Sequence, residues 1–400
     1  MASKLIELAD AHRARGRLRE AERVIDQAVV KAAGQSEKAL ALLAKARILC
    51  AAGKPESAAA PSTDAIEIYR SASDNDGLAE AQLAYSEVLL AQKDLETAKE
   101  MVLQSVSIYR KAGKKGKMAE AKTKLATVIL GGGFRADCRE AAIVAQDAIE
   151  VSQEAGDKLA EASALAVLAK AKVASGEYGE ASGSASDAMT LFKELGAKKE
   201  QAKVMVELAE ARIFMSNSED GGGSSFDVQV INDAMELLKD AQSIYQELGD
   251  KAGQATVLQV MAIGHLSLAQ AKSSHNEAKE SEKVARKSQE LFWALNDKSG
   301  VARNWLTIAQ VRYVTSDMED SVQTTMVAQK LYKDTGNTLG AAEAARFLEM
   351  VKAAEKAAGD DEQVGGSSTS QSVDYLMVTE KKVVHAFFDA FSSRQARRLQ

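Results

Sequence analysis

The residues able to do chemistry are few and scattered. His12, His265, His275 and His385 share no spacing that would set two of them on one metal ion. Cys50 and Cys138 are far apart and in no zinc-ligand spacing, which argues against a metal site and a disulfide framework and fits a reducing compartment. Gly131-Gly132-Gly133 lacks the Lys-Ser/Thr and the preceding strand of a phosphate loop. No Ser/His/Asp or Cys/His set falls on elements that converge, so neither catalysis nor a cofactor is expected. One stripe stands out. Val384, Phe387, Phe388 and Phe391 fall at i, i+3, i+4 and i+7, on one face of a helix. Four readings of the segment 373–400 stay open: a cap on what precedes it, a helix for a partner or second copy, a tail folded onto its own chain, or a membrane-surface helix. Arg394, Arg397 and Arg398 suit a helix C-terminus through the dipole, so their charge does not require lipid.

The elements that would carry any site are helices. Ala, Leu, Glu, Lys and Gln dominate, with 2 Pro and 5% aromatic residues, a composition that loses little entropy in a helix. The 46% hydrophobic fraction leans on Ala, so the core should be thin and the helices closely packed. Net charge is −6, and Lys and Arg alternate with Asp and Glu rather than clustering, which argues against nucleic acid. The N-terminus MASKLIELADAHRARG carries charges within its first helix and has no apolar signal region. No apolar run approaches the roughly 18–20 residues of a membrane span. The expectation is a soluble cytoplasmic protein, or a soluble segment of a larger assembly.

The pattern repeats. An aliphatic–aromatic pair recurs as Ile68-Tyr69, Ile108-Tyr109, Leu191-Phe192, Ile244-Tyr245, Leu291-Phe292 and Leu331-Tyr332; Tyr69 to Tyr109 and Phe292 to Tyr332 are each 40 residues. Gly113, Gly156, Gly196, Gly249, Asn296 and Gly336 follow the pairs as left-handed helix ends. Asp157, Asp250, Asp297 and Asn337 come next as N-caps. Gly16, Gly53, Gly133 and Gly176 divide each unit into helices A and B. The helices are expected near 3–15 and 18–32, 36–52 and 55–72, 76–92 and 94–112, 115–130 and 137–155, 157–175 and 177–195, 197–215 and 226–248, 250–271 and 275–295, 297–315 and 317–335. A closing helix follows near 337–358. Pro61 should kink its helix or delay its start. The array thus covers 1–358, a linker 359–372, and an amphipathic helix 373–400.

Within a unit, a bulky-small pair stands seven residues before the mid-unit turn and small residues recur after it: Leu168-Ala169, Gly176, Tyr178, Ala181, Ala188. This spacing resembles the tetratricopeptide repeat, and Trp305, Ile308-Ala309 and Ala328 fit it again. The 40-residue unit, with its ELGDKAGQA hinge (Glu247 to Ala255), is similar to the long repeats of Pins-type polarity adaptors and kinesin light chains. Ser86, Ser105, Ser281, Ser288 and Ser321 replace small Ala. The resemblance implies an all-α, right-handed superhelical solenoid of antiparallel hairpins. It further implies that A helices line a concave groove, with the position after each small residue facing in: Asp10, Arg47, Glu87, Thr127, Lys170, Glu210, Gln270 and Gln310. Arg303 and Tyr313 join these in the later units. A solvated face would have the same mixed composition, and both readings stay open. Read as a site, partner-binding residues are Arg47, Lys170, Gln270, Arg303, Gln310 and Tyr313, with Phe387, Phe388 and Phe391 from the tail. The expected function is a scaffold or adaptor holding a protein or peptide segment, without chemistry. The rival is a structural or regulatory subunit, with the C-terminal helix as a docking or autoinhibitory element.

Ser216 to Ser225 (SNSEDGGGSS) lengthens one unit and has the composition of a flexible linker. Its excision is expected to leave the melting temperature nearly unchanged. A fall of many degrees would show that it packs.

Overall fold

The computed structural model describes residues 2–14, 16–131, 135–216 and 227–363. Among these residues there are seventeen helices and no strand. They belong to two compact units, one ending at Leu195 and one beginning at Gly196. The first holds the hairpins α1 (Ala2–Ala14) and α2 (Leu18–Lys31), α3 (Gln35–Ala51) and α4 (Pro55–Ser71), α5 (Asn75–Gln92) and α6 (Leu95–Lys111), α7 (Lys115–Leu130) and α8 (Arg135–Ala155), α9 (Lys158–Ser175) and α10 (Tyr178–Glu194). The second holds α11 (Lys198–Ser216) and α12 (Val228–Glu247), α13 (Lys251–Lys272) and α14 (His275–Ala294), α15 (Lys298–Val314) and α16 (Met318–Asp334), then α17 (Thr338–Gln363).

The joints form as the sequence dictates. Gly113, Gly156, Gly196, Gly249, Asn296 and Gly336 all have φ between 58° and 68°. At one such joint the Asp250 amide donates to the Tyr245 carbonyl at 2.9 Å, closing the helix end. Asp157, Asp250, Asp297 and Asn337 then accept from the amides of Ala160, Gly253, Gly300 and Gly340. Four further left-handed residues have no glycine to announce them: Ser73, Lys93, Ser273 and Ser316.

The recurring aromatic has a specific seat. Tyr69, Tyr245, Phe292 and Tyr332 are all buried, and each ring lies on a glycine eight residues later, in the first turn of the next A helix. At Gly300 a β-carbon would come within 2.6 Å of the Phe292 ring. Gly77, Gly253 and Gly340 are covered in the same way by Tyr69, Tyr245 and Tyr332. Tyr109 and Phe192 are buried too, but Lys117 and Glu200 stand at the matching place.

Small residues bring the helices of a hairpin close. Ala9, Ala126, Ala209 and Ala309 are fully buried. Of the serines that replace Ala, four use this proximity. Ser105 donates to the Ala79 carbonyl at 3.0 Å, Ser281 to Ala262 at 2.7 Å, Ser288 to Ala255 at 2.8 Å, and Ser321 to Ala309 at 2.8 Å. Each joins helix B to helix A of one hairpin, so the buried hydroxyl is satisfied rather than stranded. Ser86 instead donates within its own helix, to Leu83.

Two local expectations differ from the structure. α4 begins at Pro55 and runs through Pro61, so its start is not delayed. Ser62 and Thr63 bond the carbonyls of Ala58, Ala59 and Ala60, giving that turn side-chain bonds around the missing amide. α17 continues to Gln363 rather than stopping near 358. Gly359 costs a helix only about 1 kcal/mol relative to Ala, and no proline follows to end it. Gly133, the loop residues 217–226 and the segment 373–400 lie outside the described residues.

Gly300→Ala is expected to lower stability by about 1–3 kcal/mol, because the added methyl overpacks the Phe292 seat. Gly183→Ala, mid-α10 with open space around it, is expected to raise stability by about 0.5–1 kcal/mol. Urea unfolding of the two variants checks the opposite signs.

Candidate functional site

Within each unit, every odd-numbered helix touches the next odd-numbered helix, while even-numbered helices make no comparable contact with one another. The odd helices therefore form the tighter side of each stack. In the second unit this side closes far enough for Arg303 on α15 to pair with Glu210 on α11, across α13.

The Arg303 side chain keeps 38% of its exposure and Glu210 26%, so the pair faces water from within the odd-helix side. Glu210 holds the guanidinium even more firmly charged. On α17, Glu343 is partly exposed. Burial pushes its carboxyl up to about 7, against the opposing pull of Arg303 and Arg346. Burial also raises the Tyr332 hydroxyl on α16, with Glu343 adding to the effect and Arg303 opposing it.

The other expected site residues are placed as follows. Gln270 on α13 and Gln310 on α15 are partly exposed and stand one repeat apart. The Gln270 Oε1 is buried without a hydrogen-bond donor. Arg47 on α3 and Lys170 on α9 are exposed and belong to the first unit. Tyr313 does not face outward. It is 3% exposed, and its ring meets Phe347 of α17 edge-on at 5.9 Å. Phe347 and Val351 extend the core over α15, and a large aromatic gains more there than in water. Phe387, Phe388 and Phe391 lie outside the described residues.

Several of the in-facing positions are already satisfied. Glu87 pairs with Lys124 of α7, Thr127 donates to Thr123 of its own helix at 2.9 Å, and Asp10 pairs with Arg13 at 3.0 Å. His265 and Glu277 bond at 2.7 Å within the hairpin α13–α14. Burial and then Glu87 raise the Cys50 thiol, which disfavours the reactive thiolate. Among the described residues, no group of three or more His, Cys, Asp or Glu is placed to hold a metal ion. None of the described helices is long and apolar enough to cross a membrane.

Glu343 was legible only by register, since it stands one 40-residue repeat beyond Arg303. Its protonation gives a stability test. The folded carboxyl keeps its proton up to about 7, whereas the ordinary value is 4.5. Between these pH values the folded state binds more protons, so this group's contribution declines as pH rises through that window. Glu343→Gln is expected to raise the melting temperature at pH 8 and to leave it unchanged near pH 4.5. Equal melting at both pH values would contradict the raised carboxyl.

No family model matches the chain, and no curated protein matches it. Solved structures do. Aspartyl phosphate phosphatase F from Bacillus subtilis aligns with a TM-score of 0.55 at 11% identity, over 83% of this chain and 94% of that one. The apo form of the quorum sensor NprR from B. thuringiensis gives 0.53 at 13% identity, over 82% and 87%. The signal-transduction ATPase PH0952 from Pyrococcus horikoshii, a STAND protein with a tetratricopeptide repeat sensor, gives 0.53 at 16% identity, over 88% of this chain and 50% of that one. At such identities the likeness concerns fold. With its capped joints, paired helices and buried small residues, this chain has the fold of the tetratricopeptide-type repeat proteins.

Proposed function

We propose that the chain is a protein-interaction scaffold whose odd-helix face receives a segment of another protein. No bond is made or broken there. The observation that carries this reading is the row of polar side chains on α13, α15 and α17 of the second unit. Gln270 and Gln310 stand one repeat apart, as do Arg303 and Glu343, and all four are partly exposed between packed helices. Side chains on rigid helices lose little freedom when a ligand arrives, so an extended peptide can be held by a few well-placed hydrogen bonds. The names of two structurally similar proteins agree with a recognition role: NprR is a quorum sensor and the PH0952 repeats are a sensor. The rival reading makes the array a spacer in a permanent assembly, docked or held inactive through Phe387, Phe388 and Phe391. The polar row favours the first.

Cross-linking mass spectrometry on purified complexes separates the two. The double variant Gln270→Ala, Gln310→Ala is expected to lose its partner while melting as the parent does. Partner retention in that variant, with loss on deletion of 373–400, would overturn the groove reading.

A further inference from the structure

On the odd-helix face of the second unit the strongest donor, Arg303, is occupied, while two acceptors, Glu343 and the Gln270 Oε1, are not. Arg303 donates to Glu210. Glu343 has neither hydrogen bond nor ion pair among the described residues, although Arg303 and Arg346 are near enough to influence it. The Gln270 Oε1 is buried and accepts nothing. A structural carboxylate is ordinarily paired or left fully in water, because desolvating it alone is costly; Glu343 is unpaired and only partly exposed. A hydrogen-bond donor is the group that satisfies both of these acceptors.

We propose that Glu343 receives a basic side chain, a lysine ammonium or an arginine guanidinium, from a peptide lying along the odd-helix face of α13, α15 and α17. This rests on the scaffold reading above and names the chemistry of the bound segment. Glu343 and Arg303 each follow a joint glycine, Gly340 and Gly300, by three residues, so both project about one turn into their helices. An anionic ligand that took the Arg303 guanidinium would strand Glu210 between helices. A cation at Glu343 disturbs no existing pair.

Binding should also follow pH. The groups facing Glu343 are Arg303 from α15, Tyr332 from α16 and Arg346 on its own helix. The arginines stay charged, and the raised Tyr332 hydroxyl stays neutral, through the range from pH 6 to 8. Glu343 alone changes charge there, so an arriving cation displaces its proton.

The experiment pans a phage-displayed random dodecapeptide library on the full-length protein at pH 8. Enriched peptides are synthesised and titrated against the parent, Glu343→Gln, Glu343→Lys and the Gln270→Ala, Gln310→Ala double variant. The expected hits share an Arg or Lys whose replacement by citrulline or norleucine weakens binding about tenfold. Parent affinity rises by up to about tenfold from pH 6 to pH 8, following the ionised fraction. Glu343→Gln removes that rise while still melting cooperatively, and Glu343→Lys binds these peptides least. Hits that depend on Gln270 and Gln310 but are indifferent to Glu343→Gln, or that it weakens equally at both pH values, overturn the role of Glu343 and leave the scaffold reading standing. Hits indifferent to every groove variant, or no hits, overturn both.

Discussion

The structure depends on the contact between an aromatic ring at the end of one hairpin and the first turn of the next. A left-handed residue ends the B helix, an Asp or Asn caps the A helix that follows, and the ring covers the turn between them. Phe292 on Gly300 and Tyr332 on Gly340 are instances. The ring and its glycine are eight residues apart at every such joint, so the joint cannot slip without unseating a buried aromatic. That fixes where the A helices begin, and hence where Arg303 and Glu343 stand relative to one another. The site inherits its geometry from the joint rather than from any bond within the site.

The helices were legible because their ends are chemically marked. Left-handed Gly or Asn followed by Asp or Asn leaves few alternatives for the chain, and the boundaries fall within one or two residues at most joints. Ser73, Lys93, Ser273 and Ser316 adopt the same left-handed backbone without a marker, because the packing on either side outweighs a local cost of roughly 1–2 kcal/mol. Residue orientation was less legible. Tyr313 follows Gln310 by three on the same helix, yet the core formed with Phe347 turns it inward. Glu343 lies on α17, which has the sequence marks of a closing helix, although its register with Arg303 is present in the spacing. Pairing across helices, as between Arg303 and Glu210, joins residues far apart in sequence and leaves no local trace.

The thin, Ala-rich core has a second effect. Backbones that approach closely bring carbonyls within reach of short side chains, so serine in helix B reaches the carbonyls of helix A. Asn304 extends one such bond, donating to Ser288 at 2.9 Å and linking α15 to the preceding hairpin. Polar groups in the core are thus used to hold hairpins together, with few exceptions such as the Asn304 Oδ1. The odd-helix face shows the opposite pattern, where Gln270 and Glu343 keep acceptor capacity in reserve. Where buried serines are satisfied so consistently, the partly exposed Gln270 and Glu343 stand out by contrast.

The seat of the aromatic ring also bears on how such an array can change over generations. Joints at Gly77, Gly253, Gly300 and Gly340 belong to one type, while the joints following Tyr109 and Phe192 carry Lys117 and Glu200 instead. A duplicated or transplanted repeat keeps its fit only when the break falls outside the span from ring to glycine. A crossover inside that span sets a ring against a side chain, or leaves a glycine uncovered. The natural module of inheritance is therefore offset from the helical hairpin, running from the middle of one B helix to the middle of the next.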